Sequence, residues 1–252
     1  MTKQLFIGKT NNTAKKPSKI LVGNSSNIAK EVKSIFVGNS SNKAVRVYPN
    51  LPDIYQRCEY LYDTNYTEFI KTGIKPNSNT RVVIDAKKNN STNSNYDREL
   101  FYVNHSDTYF SISWRHTSSE TSAGHIYFNF GTNHTVDYRI NYADWWNGRH
   151  TYDFNRSGGH FYCDTVHVGQ STNTFGTLSN EIYLWDYGSA DDYYIARWYI
   201  YSCKIYQNGI LVRDMWPCYR KSDYKPGMFD FVNDVFYTNA GSGEFYKGPD
   251  VN

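Results

Sequence analysis

No stretch of this chain approaches the ~18 to 20 consecutive apolar residues that a membrane-spanning helix requires. The opening Met1-Thr2-Lys3-Gln4 leads straight into polar sequence, without the apolar core of a secretory signal. These two absences set the expectation of a protein made in the cytoplasm that does not insert into membranes. Cysteine is scarce: Cys58, Cys163, Cys203 and Cys218 form no Cys-x-x-Cys pair and have no histidines at zinc-finger spacing. Free buried thiols without structural zinc are therefore expected. There is no Gly-x-Ser-x-Gly, no P-loop and no His-Glu-x-x-His, so the common hydrolase, nucleotide and metalloprotease signatures are all missing.

Acid is nearly missing from the first 48 residues, which carry nine Lys or Arg against the single acid Glu31, a net of +8. The remainder holds 18 basic and 23 acidic residues, a net of −5, so the overall +3 conceals two differently charged parts. What fills the first part is a threefold 15-residue repeat. Leu5-Phe6-Ile7-Gly8-Lys9 returns as Ile20-Leu21-Val22-Gly23-Asn24 and again as Ile35-Phe36-Val37-Gly38-Asn39, each followed by a polar turn and a run centred on Ala14, Ala29 or Ala44. Three β-prone residues, a glycine, a turn and a second short run predict a β-hairpin. Hairpins this short bury too little to stand alone, so the repeats must stack on each other, on the rest of the chain or on other copies. Lys9, Lys15, Lys16, Lys30, Lys33 and Lys43 fall near turns and second strands, where charge protects strand edges; solubility, not nucleic-acid binding, is the reading.

Beyond Leu51 a two-residue period recurs. Arg81 to Ala86 alternates; Phe110, Ile112 and Trp114 oppose Tyr109, Ser111 and Ser113; Ile126, Phe128 and Phe130 oppose His125, Tyr127 and Asn129, the pattern of half-buried strands whose second face meets water. Val136 to Tyr142, His160 to Asp164, Val166 to Val168, Glu181 to Trp185, Ala196 to Tyr206 and Leu211 to Met215 complete the predicted strands. Many short strands with turn-rich connections and no amphipathic helix predict an all-β sandwich or jelly roll.

Two stretches carry a resemblance. Tyr60-Leu61-Tyr62-Asp63-Thr64-Asn65-Tyr66 through Arg81-Val82, and Ile200-Tyr201-Ser202-Cys203-Lys204-Ile205-Tyr206-Gln207-Asn208-Gly209 through Gly227-Met228-Phe229-Asp230-Phe231 and Asn239-Ala240-Gly241-Ser242-Gly243, resemble LamG-like, concanavalin A-type jelly rolls. Such domains occur in tail and tail-fibre proteins of bacteriophages and prophages of Gram-positive bacteria, and the Val-Gly-Asn repeats resemble their N-terminal repeats. The resemblance implies a fold in which an N-terminal β-hairpin repeat module (1–48, attachment or oligomerisation) and a linker (49–57) precede a concanavalin A/LamG-like antiparallel β-sandwich (58–252). It implies a virion protein that recognises a host cell-surface glycan, contacts other phage tail proteins and forms a homo-oligomer, a trimer by analogy with phage fibres. A structural tail subunit and a glycan depolymerase are the alternatives. The shared phrases read as fold: Asn208-Gly209 is a tight-turn signal, Asn239 to Gly243 a closing turn, and Arg213-Asp214 a local ion pair.

The fold hosts hydrolases and lectins alike, so the site must decide. The Glu-x-Asp-x-x-Glu pattern of retaining glycosidases does not occur, and Glu181 and Asp186 stand five apart, on opposite faces of a regular strand. A non-enzymatic protein is expected. Sugar binding needs exposed rings to stack on pyranose faces and polar groups to meet hydroxyls. Tyr142, Asp144, Trp145, Trp146, Asn147 and Arg149 supply both within a few residues, and Trp185, Asp186 and Tyr187 form a second cluster; whether Trp145, Trp146 and Trp185 line one exposed groove is the deciding observation. Trp114, Trp198 and Trp216 are assigned to packing. Calcium, which relatives of this fold carry in loops of aspartates, would find Asp186, Asp191 and Asp192; no other cofactor is expected.

Overall fold

The computed structural model describes, within the first fifty residues, only 21–23, 29–31, 35–38 and 44–48; from 51 onward it describes all but 64–66, 89–97, 106, 116–122, 142–147, 186–197 and 252. The chain divides into two compact units, Met1–Asn50 and Leu51–Asn252. In the first, β1 (Leu21–Gly23) pairs antiparallel with β2 (Ala29–Glu31), and β3 (Ile35–Gly38) with β4 (Ala44–Tyr48). These are hairpins of the second and third repeats, while the first repeat lies outside the described residues.

The second unit begins with β5 (Tyr55–Arg57), β6 (Leu61–Tyr62), β7 (Ile70–Lys71), β8 (Thr80–Lys88), β9 (Arg98–Tyr102), β10 (Asn104–His105), β11 (Thr108–Arg115), β12 (Ala123–Phe130) and β13 (Thr132–Asn141). It continues with β14 (Arg149–Arg156), β15 (His160–Cys163), β16 (Val166–Gln170), β17 (Tyr183–Leu184), β18 (Trp198–Gln207), β19 (Ile210–Arg220), β20 (Pro226–Asp230), β21 (Val235–Thr238) and β22 (Tyr246–Lys247). Among the described residues no helix is long and apolar enough to cross a membrane. One antiparallel sheet runs β13-β12-β11-β9-β17-β7, with β10 beside β11. The other runs β16-β15-β14-β8-β18-β19-β20-β21, with β6 and β22 added beside β18 and β5 beside β19. Residues 51–57, expected as part of the linker, thus belong to the second unit, because β5 pairs with Cys218–Arg220 of β19.

The unit is a β-sandwich, since alternate residues of both sheets enter one core. In β8 the pattern is strict: Thr80, Val82, Ile84, Ala86 and Lys88 point inward, and Arg81, Val83, Asp85 and Lys87 outward. The core is aromatic, and its rings interlock across the sheets. Phe154 of one sheet stands edge-on to Phe101 (5.3 Å, 88°) and Phe110 (4.8 Å, 75°) of the other. Phe161 meets Phe128 at 5.3 Å. Trp114 and Trp198 are fully buried, as their strand positions predict, while Trp216 is half-buried with Arg57 over its ring at 4.1 Å.

Two expectations are corrected. Ser111, Ser113 and Asn129 do not face water: all are buried, and the Asn129 amide donates to both serine hydroxyls at 2.9 and 3.1 Å, so these strands are covered on both faces. Arg213 and Asp214 do not pair with each other, because neighbours on a strand point to opposite faces. Arg213 instead donates to the Thr72 carbonyl and lies 3.7 Å from Asp230, while Asp214 accepts from Trp216 at 2.8 Å. The turn signals hold. Asn208 (φ 50°) and Gly209 (φ 78°) close the β18–β19 hairpin with the left-handed pair that a two-residue turn needs. At the closing turn, Asn239 Oδ1 accepts from the Phe69 and Gly241 amides while its Nδ2 donates to the Ser242 and Gly243 carbonyls. A Cβ at Gly241 would run into the Thr67 carbonyl oxygen. The four cysteines are buried and free.

Candidate functional site

Strand register builds an aromatic row on the outer face of the larger sheet. Arg149 of β14 stands opposite Lys87 of β8, Lys87 opposite Tyr199 of β18, Tyr199 opposite Tyr62 of β6, and Tyr62 opposite Tyr246 of β22. Directly opposed residues share a face. In the next row along, Ala86, Ile200 and Leu61 are fully buried, so the Arg149–Tyr246 row faces out. Tyr60 and Tyr201 flank it. Tyr60 packs edge-on against Tyr199 (4.8 Å, 88°) and Tyr201 (5.6 Å), and Tyr62 lies 4.9 Å from Tyr199 and 5.3 Å from Tyr246. At one end the Arg149 guanidinium is fixed by two bonds to Asp85, 2.7 and 2.6 Å, and lies 3.7 Å over the Tyr201 ring.

Rings held this way form a pre-organised platform. Tyr246 is 55% exposed, Tyr60, Tyr62 and Tyr199 are half-buried, and Tyr201 is 9% exposed, so the patch offers ring faces and edges while its interior is packed. Among the described residues none of these five hydroxyls has a hydrogen-bond partner, which leaves them to meet a ligand. Burial pushes the phenols of Tyr60, Tyr199 and Tyr201 up, Tyr201 to about 12 despite the opposing pull of Arg149. They stay protonated near neutrality, able both to donate and to accept. The hydrogen-bonded Asp85 in turn raises Arg149, so its cation is permanent.

A second concavity lies at the opposite end of β8, about six residues or roughly 20 Å from Lys87 to Arg81. This cleft of about 690 Å³ is lined by Asn79, Arg81, Asn155, Ser171, Asn173 and Tyr206, with other small polar residues. Its chemistry is largely committed internally. Asp153 grips Arg81 with two 2.6 Å bonds, Asn155 donates to the Ser78 and Thr80 carbonyls, and Asn173 donates to the Phe130 carbonyl. The row, with its unengaged hydroxyls, is the better equipped of the two.

Of the site residues predicted from sequence, Arg149 lies in the row. Trp185 does not join a surface groove: it is 1% exposed, its indole N–H donates to the Trp198 carbonyl at 2.7 Å, and its ring packs on Phe245 at 4.7 Å. The cause is local. A positive φ of 69° at Trp185 breaks the alternation at the end of β17, so Leu184 and Trp185 both turn inward. Tyr142, Asp144, Trp145, Trp146, Asn147, Asp186 and Tyr187, and the calcium candidates Asp191 and Asp192, lie outside the described residues. Tyr60, Tyr62, Tyr199, Tyr201 and Tyr246 were missed. The usable signal was alternation itself: Tyr199 and Tyr201 fall on the outer phase of the strand that places Ile200 inside. No protein-family model, curated protein or solved structure matches this chain.

Proposed function

We propose that this chain is a receptor-binding component of a bacteriophage or prophage tail, whose sandwich is a LamG-like, concanavalin A-type jelly roll that binds a host cell-surface glycan without cleaving it. The observation that carries this reading is the in-register row of Tyr62, Tyr199 and Tyr246 ending on Lys87 and the Asp85-fixed Arg149. Aromatic faces stack on the apolar faces of pyranoses, and phenol hydroxyls, an ammonium and a guanidinium serve their hydroxyls. Five strands at ~4.8 Å spacing make the row about 19 Å long, the span of a short oligosaccharide. Residues 1–48 serve attachment or oligomerisation, and presentation in several copies multiplies weak sites into avidity.

The test is binding of the purified chain to host cell walls and to a glycan array. Glycan-dependent binding that drops in Tyr62→Ala and Tyr246→Ala, with unchanged melting temperature, is the expected result. Full binding by both variants would remove the row from the reading, and release of reducing sugar from host polysaccharide would replace it with the depolymerase.

A further inference from the structure

The cleft at the Arg81 end of β8 is walled by turns that the fold ties together. Ser171 N–H donates to the Gly159 carbonyl at 2.9 Å, and Gly159, at φ 79°, has no room for a Cβ beside the Ser171 carbonyl. The β14–β15 turn and the segment after β16 thus meet at backbone distance, which only glycine permits. Asn208 N–H donates to the Asn79 carbonyl and fastens the β18–β19 turn to the start of β8. The Asn155 amide joins β14 to the same place through the Ser78 and Thr80 carbonyls. The concavity is therefore built before any ligand arrives, and its volume of about 690 Å³ is that of a small-molecule site.

Those bonds fix the walls and leave other polar groups over. The hydroxyls of Thr172, Thr174 and Tyr206 and the side-chain amides of Asn79 and Asn208 line the cleft and have no hydrogen-bond partner among the described residues. Arg81 is the only charged residue of the lining. Its guanidinium has five N–H groups, and the two 2.6 Å bonds to Asp153 use one on Nε and one on Nη2. The Asp153 side chain is 10% exposed and stands outside the lining, whereas that of Arg81 is 32% exposed and belongs to it. The edge of Arg81 that reaches the cleft is accordingly the one Asp153 leaves free, Nη1 with the second Nη2 hydrogen. Such an edge is a fork matched to a carboxylate. Arg156 lies 3.8 Å from the same Asp153 carboxylate, so one acid serves two guanidiniums and the group keeps a net positive charge.

We propose that the cleft is a second ligand site and takes a sugar acid, a pyranose whose carboxylate meets the free fork of Arg81 and whose hydroxyls meet the amides and hydroxyls around it. An uncharged sugar leaves the fork unused, and a bare carboxylate leaves the amides and hydroxyls unused. The site is separate from the tyrosine row, roughly 20 Å away along β8.

The probe is glucuronate, titrated into the full-length chain by calorimetry beside glucose and acetate. Glucuronate should bind at least about tenfold more tightly than either, since hydrogen bonds between charged groups are the strong ones. Arg81→Gln should abolish the preference for glucuronate over glucose. Should that variant fail to fold for want of a partner to Asp153, Asn208→Asp serves, because Asp-Gly suits the same tight turn as Asn-Gly and sets a carboxylate on the rim. It should weaken glucuronate binding about fivefold. No binding of glucuronate at millimolar concentration, equal binding of glucose or acetate, or unchanged glucuronate affinity in Asn208→Asp overturns the site.

Discussion

Tyr199 is the middle residue of the five-strand outer row, with the Tyr60 ring at 4.8 Å and the Tyr62 ring at 4.9 Å, so removing it tests whether stacking carries binding. In Tyr199→Ala the free protein loses two aromatic pairs, each worth about 0.5–1.5 kcal/mol beyond area burial, for a stability loss of about 1–3 kcal/mol. Binding loses a central anchor, and truncations of that kind cost about 2 kcal/mol or more, roughly 30-fold in Kd. Tyr199→Phe keeps the ring and forfeits one hydroxyl, a net hydrogen bond of about 0.5–1.5 kcal/mol, or roughly 2- to 12-fold. Titration calorimetry against solubilised host cell-wall polysaccharide measures the two Kd changes, and urea unfolding measures stability in parallel. A folded Tyr199→Ala protein that binds within twofold of the parent would refute the row as the site. Equal losses in Ala and Phe variants would refute stacking as its mechanism.

Further outcomes follow from the same structure. Phe154→Ala, which removes a fully buried ring bridging the sheets, should destabilise the sandwich by about 3–5 kcal/mol in urea unfolding. Gly241→Ala should lower the melting temperature, because its methyl has no room beside the Thr67 carbonyl, whereas Gly176→Ala, which meets nothing within 4 Å, should be near neutral. Cys58 and Cys203, buried thiols whose pKa burial raises, should resist iodoacetamide until urea unfolds the chain. Tyr201 should contribute fully to stability below pH 10, its ordinary value, and lose that contribution as pH rises through about 12, since the unfolded phenol ionises first. Tyr201→Phe should flatten that part of the urea-midpoint profile.

Alternation made the long strands legible. β8 and β18 follow their apolar period, and Asn208-Gly209 placed the β18–β19 hairpin turn correctly. β14 gave no such signal, because Arg149–Arg156 reads as polar while four consecutive residues, Tyr152 to Asn155, are buried. Asp153 and Asn155 can lie there only because Arg81 and the Ser78 and Thr80 carbonyls satisfy them, partners some 75 residues away in the chain. The two-residue strands β6, β7 and β22 are too short to carry any period and exist because a neighbour offers an unpaired edge, whereas β17 lies within the predicted Glu181 to Trp185 run. Of the proposed row, Arg149 alone was among the residues read from the sequence; Tyr62, Tyr199 and Tyr246 become neighbours only through cross-strand register, and one positive φ sent Trp185 into the core.

The row of rings also acts as a ruler. Its graduations are set by backbone hydrogen bonding between β14, β8, β18, β6 and β22, at about 4.8 Å per strand, and not by the side chains mounted on it. Exchanging one tyrosine for another large ring alters how firmly a mark grips, but leaves the interval between marks unchanged. Evolution can therefore retune affinity residue by residue, while the repeat length of any ligand that fits all the marks is fixed by the sheet.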